Sequence, residues 1–320
     1  MENTVNASSA SRTAFLFTGQ GSQAPGMGRE LAEASEAARE AFRTADEVLG
    51  MPLSRLCWDG PADELTKTEN AQPAILTVSI AAWAAFRERC PLEPEMAAGH
   101  SLGEYSALVA AGALGLAQAV MLVRKRGLLM AEAGSSAPGA MTAVIGLAHD
   151  VLCRLCAEDP GVVVVANLNT PEQMVISGAA DAVERVSALA KQQGAKRVVP
   201  LAVGGAFHSP LMAAAAERMR EELKSAVITK PQIPVVANVT AEPVADPEQI
   251  RDLLGKQITS PVRWVESVQR MAEAGITTFV EFGPAPTLTG MVRRIVPDAK
   301  ALSVSDVRSL EAATEQLGAG

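Results

Sequence analysis

The chain has 320 residues, 48% hydrophobic and 20% charged, which is length and apolar content for one large globular domain or two modest ones, with disorder confined to the ends. A net charge of −8 gives the molecule as a whole no field that attracts nucleic acid. Residues 1–12 are small and polar, without the apolar run of a secretion signal, and the four cysteines are scattered, so a cytoplasmic protein with a disordered tail is expected.

In chain order, AFLFT (14–18) running into Gly19-Gln20-Gly21-Ser22-Gln23 predicts a buried strand that feeds a backbone-exposing loop. AILTVSIAAWAAFRER (74–89) is apolar nearly all round and too long for a strand, so it predicts a buried helix, too short and too charged to span a membrane. MAAGHSLGEYSALVAAGAL (96–114) reads as a short strand, a glycine-flanked serine and a helix beginning near Glu104. A second helix follows in AVMLVRKRGLLMAEA (119–133), with Arg126 near its middle, and SSAPGA (135–140) reads as a linker.

From 141 to 203 the texture changes to short strands and helices in the order β-α-β-β-α-β, which predicts a small ferredoxin-like subdomain. PVVAN (234–238), a helix over about 265–274 and TTFVEFGP (277–284) return to alternating α/β. The expected fold is therefore α/β: a hydrolase-like large domain with a parallel sheet core (13–138 and 205–310), an inserted ferredoxin-like subdomain (139–204) and a C-terminal tail (311–320). Cys153 and Cys156 form a C-x-x-C, but in VLCRLCAE they share one helical face, and no second cysteine pair or nearby histidine completes four ligands, so no metal is expected.

Gly99-His100-Ser101-Leu102-Gly103 fits G-x-S-x-G, the sharp strand-to-helix turn that presents a serine oxygen at a helix N-terminus. A serine hydroxyl needs a base within hydrogen-bond reach, and the chain has three histidines. His149 stands at a helix start, and the side chain of His100 is expected to diverge from its neighbour's oxygen. That leaves His208, in GGAFHSPLM. No acid is assigned by spacing; with Asn238 and Gln257 downstream, an amide or backbone partner for the imidazole is favoured.

GQGSQ, GHSLGEYSALVAAG, the pair Arg126-Gly127, GAM at 139–141, NLNTPEQMVISG, AFHSPLM and QITSPVRW occur in one order across nearly the whole chain. Together they make the sequence resemble the malonyl-CoA:acyl-carrier-protein transacylases of fatty-acid and polyketide synthesis. The resemblance implies Ser101 as nucleophile, His208 as base, and backbone N–H groups of Gln20 and Leu102 as oxyanion hole. It gives Arg126 the malonyl carboxylate, an assignment that fits the bidentate grip of a guanidinium. Gln257 falls near the histidine, and Asn169 and Met130 at the acyl pocket; Phe207 would crowd an α-methyl substituent. One departure is Thr18, where many members of that family carry proline before the loop.

The implied chemistry is ping-pong transfer of malonyl from malonyl-CoA to the phosphopantetheine thiol of holo acyl carrier protein, with no metal or bound cofactor and no nucleic-acid or membrane partner. Because the carrier and the CoA phosphates are anionic, Lys196 and Arg197 are expected at the entrance. Competing readings are a trans-acting acyltransferase loading a polyketide synthase carrier, a serine acyl hydrolase, and an inactive scaffold.

Overall fold

The computed structural model describes residues 12–318, so the expected N-terminal tail lies outside the described residues but for Arg12, which pairs with Glu95. Strands β1 (Thr13–Phe17), β2 (Met96–Gly99), β7 (Val235–Val236), β8 (Pro243–Val244), β9 (Thr278–Phe282) and β10 (Lys300–Val304) form one sheet. Its order is β10-β9-β1-β2-β7-β8, parallel throughout except for the antiparallel pair β7 and β8. Strand β1 is buried along its whole length. Its unbroken run TAFLF follows from that position, because a central parallel strand has both faces covered by helices and needs no polar alternation.

On one face the helix Thr68–Arg89 packs against β1, with Phe15 edge-on to Phe86 at 5.8 Å between ring centroids. On the other face Ala14, Leu16 and Ala98 meet Trp264, Val268 and Met271 of the helix Trp264–Glu273. Each such large side chain contributes about 1.5–3 kcal/mol on burial. The helix Thr68–Arg89 begins six residues before the apolar stretch predicted it to start (68 against 74), and Thr68, Asn70 and Gln72 in that added part are buried although polar. The burial of Thr68 and Gln72 has a cause in the site described below, while Asn70 is held by Glu64 O and Arg124.

Strands β3 (Gly139–Ile145), β4 (Val163–Thr170), β5 (Gln173–Ala179) and β6 (Arg197–Pro200) form a second, antiparallel sheet in the order β4-β5-β3-β6. The helices His149–Glu158 and Ala180–Gln192 alternate with these strands and share a core with them. The sheet's other side turns Met141, Ala143, Ala166 and Val175 toward the first body. A backbone bridge joins the two: Val262 N–H donates to Ala166 O at 2.8 Å and Leu168 N–H to Val262 O at 3.0 Å.

Two sequence expectations are corrected. The segment 311–320 is not simply a tail: the helix Val307–Gln316 runs through most of it, started by a capping box between Asp306 and Ser309 and held by buried Leu310 and Ala313. His149 is not remote from the C-x-x-C, because it sits one helical turn before Cys153, with Nε2 3.2 Å from Sγ. Even so, the described residues contain no group of three or more His, Cys, Asp or Glu able to hold a metal ion. Among the described residues no helix is long and apolar enough to cross a membrane.

Candidate active site

The site grows from the register of β1 and β2. Phe17 stands opposite Gly99, and the N–H of His100 donates to Phe17 O at 3.0 Å, so the loops leaving both strands emerge side by side at the carboxyl edge of the sheet. A Cβ on Gly99 would lie 1.9 Å from the backbone of Gly103, and one on Gly103 would lie 2.1 Å from Phe17 O. The G-x-S-x-G glycines are therefore a packing requirement of the turn. Between them Ser101 has φ 52°, in the left-handed region, which costs a non-glycine residue roughly 1–2 kcal/mol. Asn238, just beyond β7, holds the turn from beneath: its Oδ1 accepts from Ser101 N–H at 2.6 Å and its Nδ2 donates to Gly99 O at 2.7 Å.

His208 comes from the glycine-rich segment after β6 and also has a positive φ, 58°. Its Nε2 lies 2.7 Å from Ser101 Oγ. Its Nδ1 faces two acceptors, the carbonyls of Gln257 at 2.9 Å and Ser260 at 3.1 Å. Carbonyls only accept, so Nδ1 carries the proton, and Nε2 is left to accept from the serine hydroxyl. Backbone oxygens thus do the orienting that a carboxylate does in a Ser-His-Asp triad. Burial, and next the charge of Arg126, push the His208 imidazole down to about 3, so the resting base is neutral.

Arg126 is 1% exposed, in the middle of the helix Leu116–Ser136. Its neighbour Gly127 admits it: a Cβ there would lie 2.6 Å from the backbone of Glu69, so only glycine lets this helix close on the start of the helix Thr68–Arg89. Two of the buried polar residues of that start, Gln72 and Thr68, now have a purpose. Gln72 Oε1 accepts from Arg126 Nη1 at 2.7 Å, and Thr68 Oγ1 accepts from Gln20 Nε2 at 3.2 Å. Arg126 Nη2 donates to Ser101 Oγ at 3.1 Å and to Gln257 Oε1 at 3.0 Å, while its Nε has no hydrogen-bond partner among the described residues. A buried guanidinium with one N–H unpartnered beside a reactive oxygen is prepared for an anionic group.

These residues edge a cavity of about 310 Å³ between the two sheets. Of the sequence-predicted residues, Ser101, His208, Arg126, Gln20, Met130, Asn169 and Phe207 line it. Gln257 lies one layer behind, against Arg126 and Ser101. Leu102 follows Ser101 in helical conformation (φ −50°, ψ −38°), with its side chain buried away from the cavity and its backbone N–H at the start of the helix Gly103–Ala110. The Gln20 loop lies against the turn, since a Cβ on Gly19 would meet His100 O at 2.5 Å. Thr18 adds a bond that proline cannot make, its N–H donating to Phe282 O at 3.3 Å. Lys196 and Arg197 are not brought into the cavity wall: Arg197 opens β6 and Lys196 directly precedes it, both exposed, with Lys196 3.8 Å from Glu172.

Sequence reasoning missed three contributors. His100, expected to diverge, does not touch Ser101 Oγ but does line the cavity, its Nε2 2.9 Å from Asn169 Oδ1 and its ring edge-on to Trp264. Gln72 lies in no motif, and Glu104, although inside GHSLGEYSALVAAG, has nothing in its spacing that marks it as part of the site. Glu104 is 2% exposed and is pushed up to about 7 by burial, its Oε2 accepting from Gln257 Nε2 at 2.7 Å and Asn238 N–H at 3.1 Å.

Known proteins place this arrangement. The acyl transferase domain family matches residues 14–313. A malonyl CoA-acyl carrier protein transacylase of Bacillus subtilis is 47% identical over 96% of this chain and 98% of its own. The crystal structure of an acyl carrier protein S-malonyltransferase from Vibrio cholerae superposes with a TM-score of 0.92 at 44% identity, covering 95% of this chain and 100% of that one. A malonyl-transacylase solved in complex with its holo type II PKS acyl-carrier protein superposes at 0.93, with 42% identity over 96% of this chain and 100% of that one. The chain therefore belongs to the acyl transferase domain family, among the malonyl CoA-acyl carrier protein transacylases.

Proposed function

We propose that this enzyme transfers malonyl from malonyl-CoA to the phosphopantetheine thiol of holo acyl carrier protein through an ester on Ser101, supplying fatty-acid synthesis in the cytoplasm. The observation that carries the reading is the buried Arg126 guanidinium 3.1 Å from Ser101 Oγ. A site for neutral acyl groups has no use for a desolvated cation at that place.

Malonyl-CoA enters with its carboxylate on Arg126, which cancels the cationic charge that depresses His208 and so strengthens the base as substrate binds. Ser101 Oγ attacks the thioester carbon while its proton passes to His208 Nε2. The developing oxyanion is held by the backbone N–H groups of Gln20 and Leu102. The intermediate collapses, the C–S bond breaks, and the His208 proton goes to the departing CoA sulfur. In the second half the carrier thiol gives its proton to His208, its sulfur attacks the malonyl ester, and the Ser101 oxygen recovers the proton as the ester bond breaks.

Within this reading residues 139–204 form an inserted ferredoxin-like subdomain that roofs the acyl pocket, with Met130, Asn169 and Phe207 shaping the pocket and Gln257 supporting Arg126. Lys196 and Arg197 belong to carrier docking. The carrier's pantetheine arm is long, so cations that meet the carrier body stand away from the cavity. Val199 on the same edge strand and Leu201 just after it, both exposed, continue from them to the cavity mouth.

A second reading, loading of a polyketide carrier, is favoured by the neighbour solved with a type II PKS acyl-carrier protein. Steady-state kinetics varying malonyl-CoA against holo carrier test the mechanism. Parallel double-reciprocal lines are expected; intersecting lines would show direct transfer with no ester on the enzyme.

A further inference from the structure

Gln257 has one oxygen and one NH₂ group at the end of its side chain, and which of them faces Arg126 decides whether the guanidinium is held or repelled. The structure shows what fixes that choice. The Nε2 group donates to two acceptors, Ser101 O at 3.0 Å and Glu104 Oε2 at 2.7 Å, so Oε1 must face Arg126 Nη2, at 3.0 Å. Turned over, the amide would set its oxygen against a carbonyl and a carboxylate and its NH₂ against a cation, losing three hydrogen bonds at once. Glu104 is in turn anchored by the N–H of Asn238, the residue that supports Ser101 from beneath.

Resting on the malonyl-transfer reading, we propose that Glu104 is a positioning residue for malonyl selection: its carboxyl oxygen locks the Gln257 amide, and the locked amide aims Arg126 at the acyl carboxylate. Glu104 touches neither substrate nor Ser101 Oγ: it reaches Arg126 through Gln257, and its other bond, to Asn238 N–H, leads to the serine turn, where a loss would slow malonyl and acetyl transfer alike. Glu104 carries a carboxyl group 2% exposed, in a position where solvation and a cavity role are both denied to it. Such a group is costly to keep unless its hydrogen bonds are put to use.

The consequence is specific. An acyl group without a free carboxylate makes no use of the aim of Arg126, so loss of Glu104 must separate malonyl-CoA from acetyl-CoA. Glu104→Met fills the space with an unbranched apolar chain and removes the acceptor; Glu104→Gln keeps an oxygen for Asn238 N–H and Gln257 Nε2 and removes the charge. The full-length enzymes are compared by kcat/KM for formation of malonyl-serine and acetyl-serine, and by the rate at which a fluorophosphonate probe labels Ser101.

We expect Glu104→Met to lower the malonyl-to-acetyl ratio about tenfold, the size of a misplaced hydrogen bond to a charged group, with probe labelling retained and Glu104→Gln close to wild type. An equal fall for both substrates, or an unchanged ratio, overturns the proposal, and so does a Glu104→Gln enzyme that behaves like Glu104→Met. Where Glu104→Met does not fold, Glu104→Ala carries the same comparison against Glu104→Gln. A wild-type enzyme that forms no malonyl-serine instead overturns the reading on which the proposal rests.

Discussion

Ser101 Oγ and His208 Nε2 lie 2.7 Å apart, and each residue holds its own backbone at positive φ, 52° and 58°. Two strained residues meeting at one hydrogen bond is the signature of a site whose surroundings over-determine it. Asn238 fixes the serine turn, and the carbonyls of Gln257 and Ser260 fix the imidazole. Ser101→Ala is expected to abolish acyl-enzyme formation. His208→Ala is expected to slow it by about 10² to 10⁴, the usual contribution of a positioned general base. Stopped-flow or rapid-quench malonylation measures both, and a His208→Ala enzyme near the wild-type rate contradicts the dyad.

Gly103 tests the turn itself. Its absent Cβ would lie 2.1 Å from Phe17 O, a backbone atom that cannot step aside. Gly103→Ala should lower stability by about 1–3 kcal/mol or more and displace Ser101, lowering activity beyond the loss of folded protein. Urea denaturation with a parallel activity assay on the folded fraction checks this; wild-type stability would mean that the turn is looser than described.

The pH behaviour has two opposed parts. His208 falls from 6.5 to about 3 on folding, so between those values the unfolded chain binds the proton and the folded chain does not, and stability is lost as pH drops. Glu104 rises from 4.5 to about 7, so its contribution is fully present below 4.5 and is lost as pH rises toward 7. Glu104→Gln removes the second effect alone. Relative to wild type, the variant should therefore gain roughly 2 kcal/mol of stability between pH 5 and pH 7, read from urea unfolding at the two values. A difference that does not change with pH would show that Glu104 does not titrate in that window.

The same depression of His208 sets the kinetics. The kcat/KM for malonyl-CoA should show no acid limb near 6.5, because the free enzyme's base is already neutral there. A pH profile of Ser101 malonylation checks it, and a limb centred near 6.5 contradicts a buried, unprotonated imidazole.

Much of this site was legible in the sequence because its side chains fall in local motifs. G-x-S-x-G gave the turn, and elimination among three histidines gave His208. The rest was hidden for identifiable reasons. The groups that orient His208 are backbone carbonyls, which no residue pattern reveals; the sequence offers Gln257 for its side-chain amide, yet its backbone carbonyl meets the ring. Gln72 and Glu104 sit on helices whose apolar character dominates the pattern, and only the packing admitted by Gly127 brings the first of them to Arg126. The helix Val307–Gln316 crosses the expected start of the tail at 311 because its buried face is narrow, Leu310, Ala313 and Thr314, and gives little apolar signal.

Charge reversal at the edge strand tests the carrier side. Lys196→Glu with Arg197→Glu should leave Ser101 malonylation unchanged, since neither residue lines the cavity, and should raise the KM for holo carrier with a weaker dependence on salt. Unchanged carrier kinetics would place the docking surface elsewhere.

The most direct measurement is intact-mass spectrometry of the enzyme mixed separately with malonyl-CoA and acetyl-CoA, alongside Ser101→Ala and Arg126→Ala, followed by holo carrier protein. The account predicts one malonyl group on the wild type, none on Ser101→Ala, a strong loss of malonyl but not of acetyl addition on Arg126→Ala, and clearance of the adduct by the carrier far faster than by water. An adduct that persists without Ser101, a malonyl preference that survives Arg126→Ala, or hydrolysis as fast as transfer would contradict it.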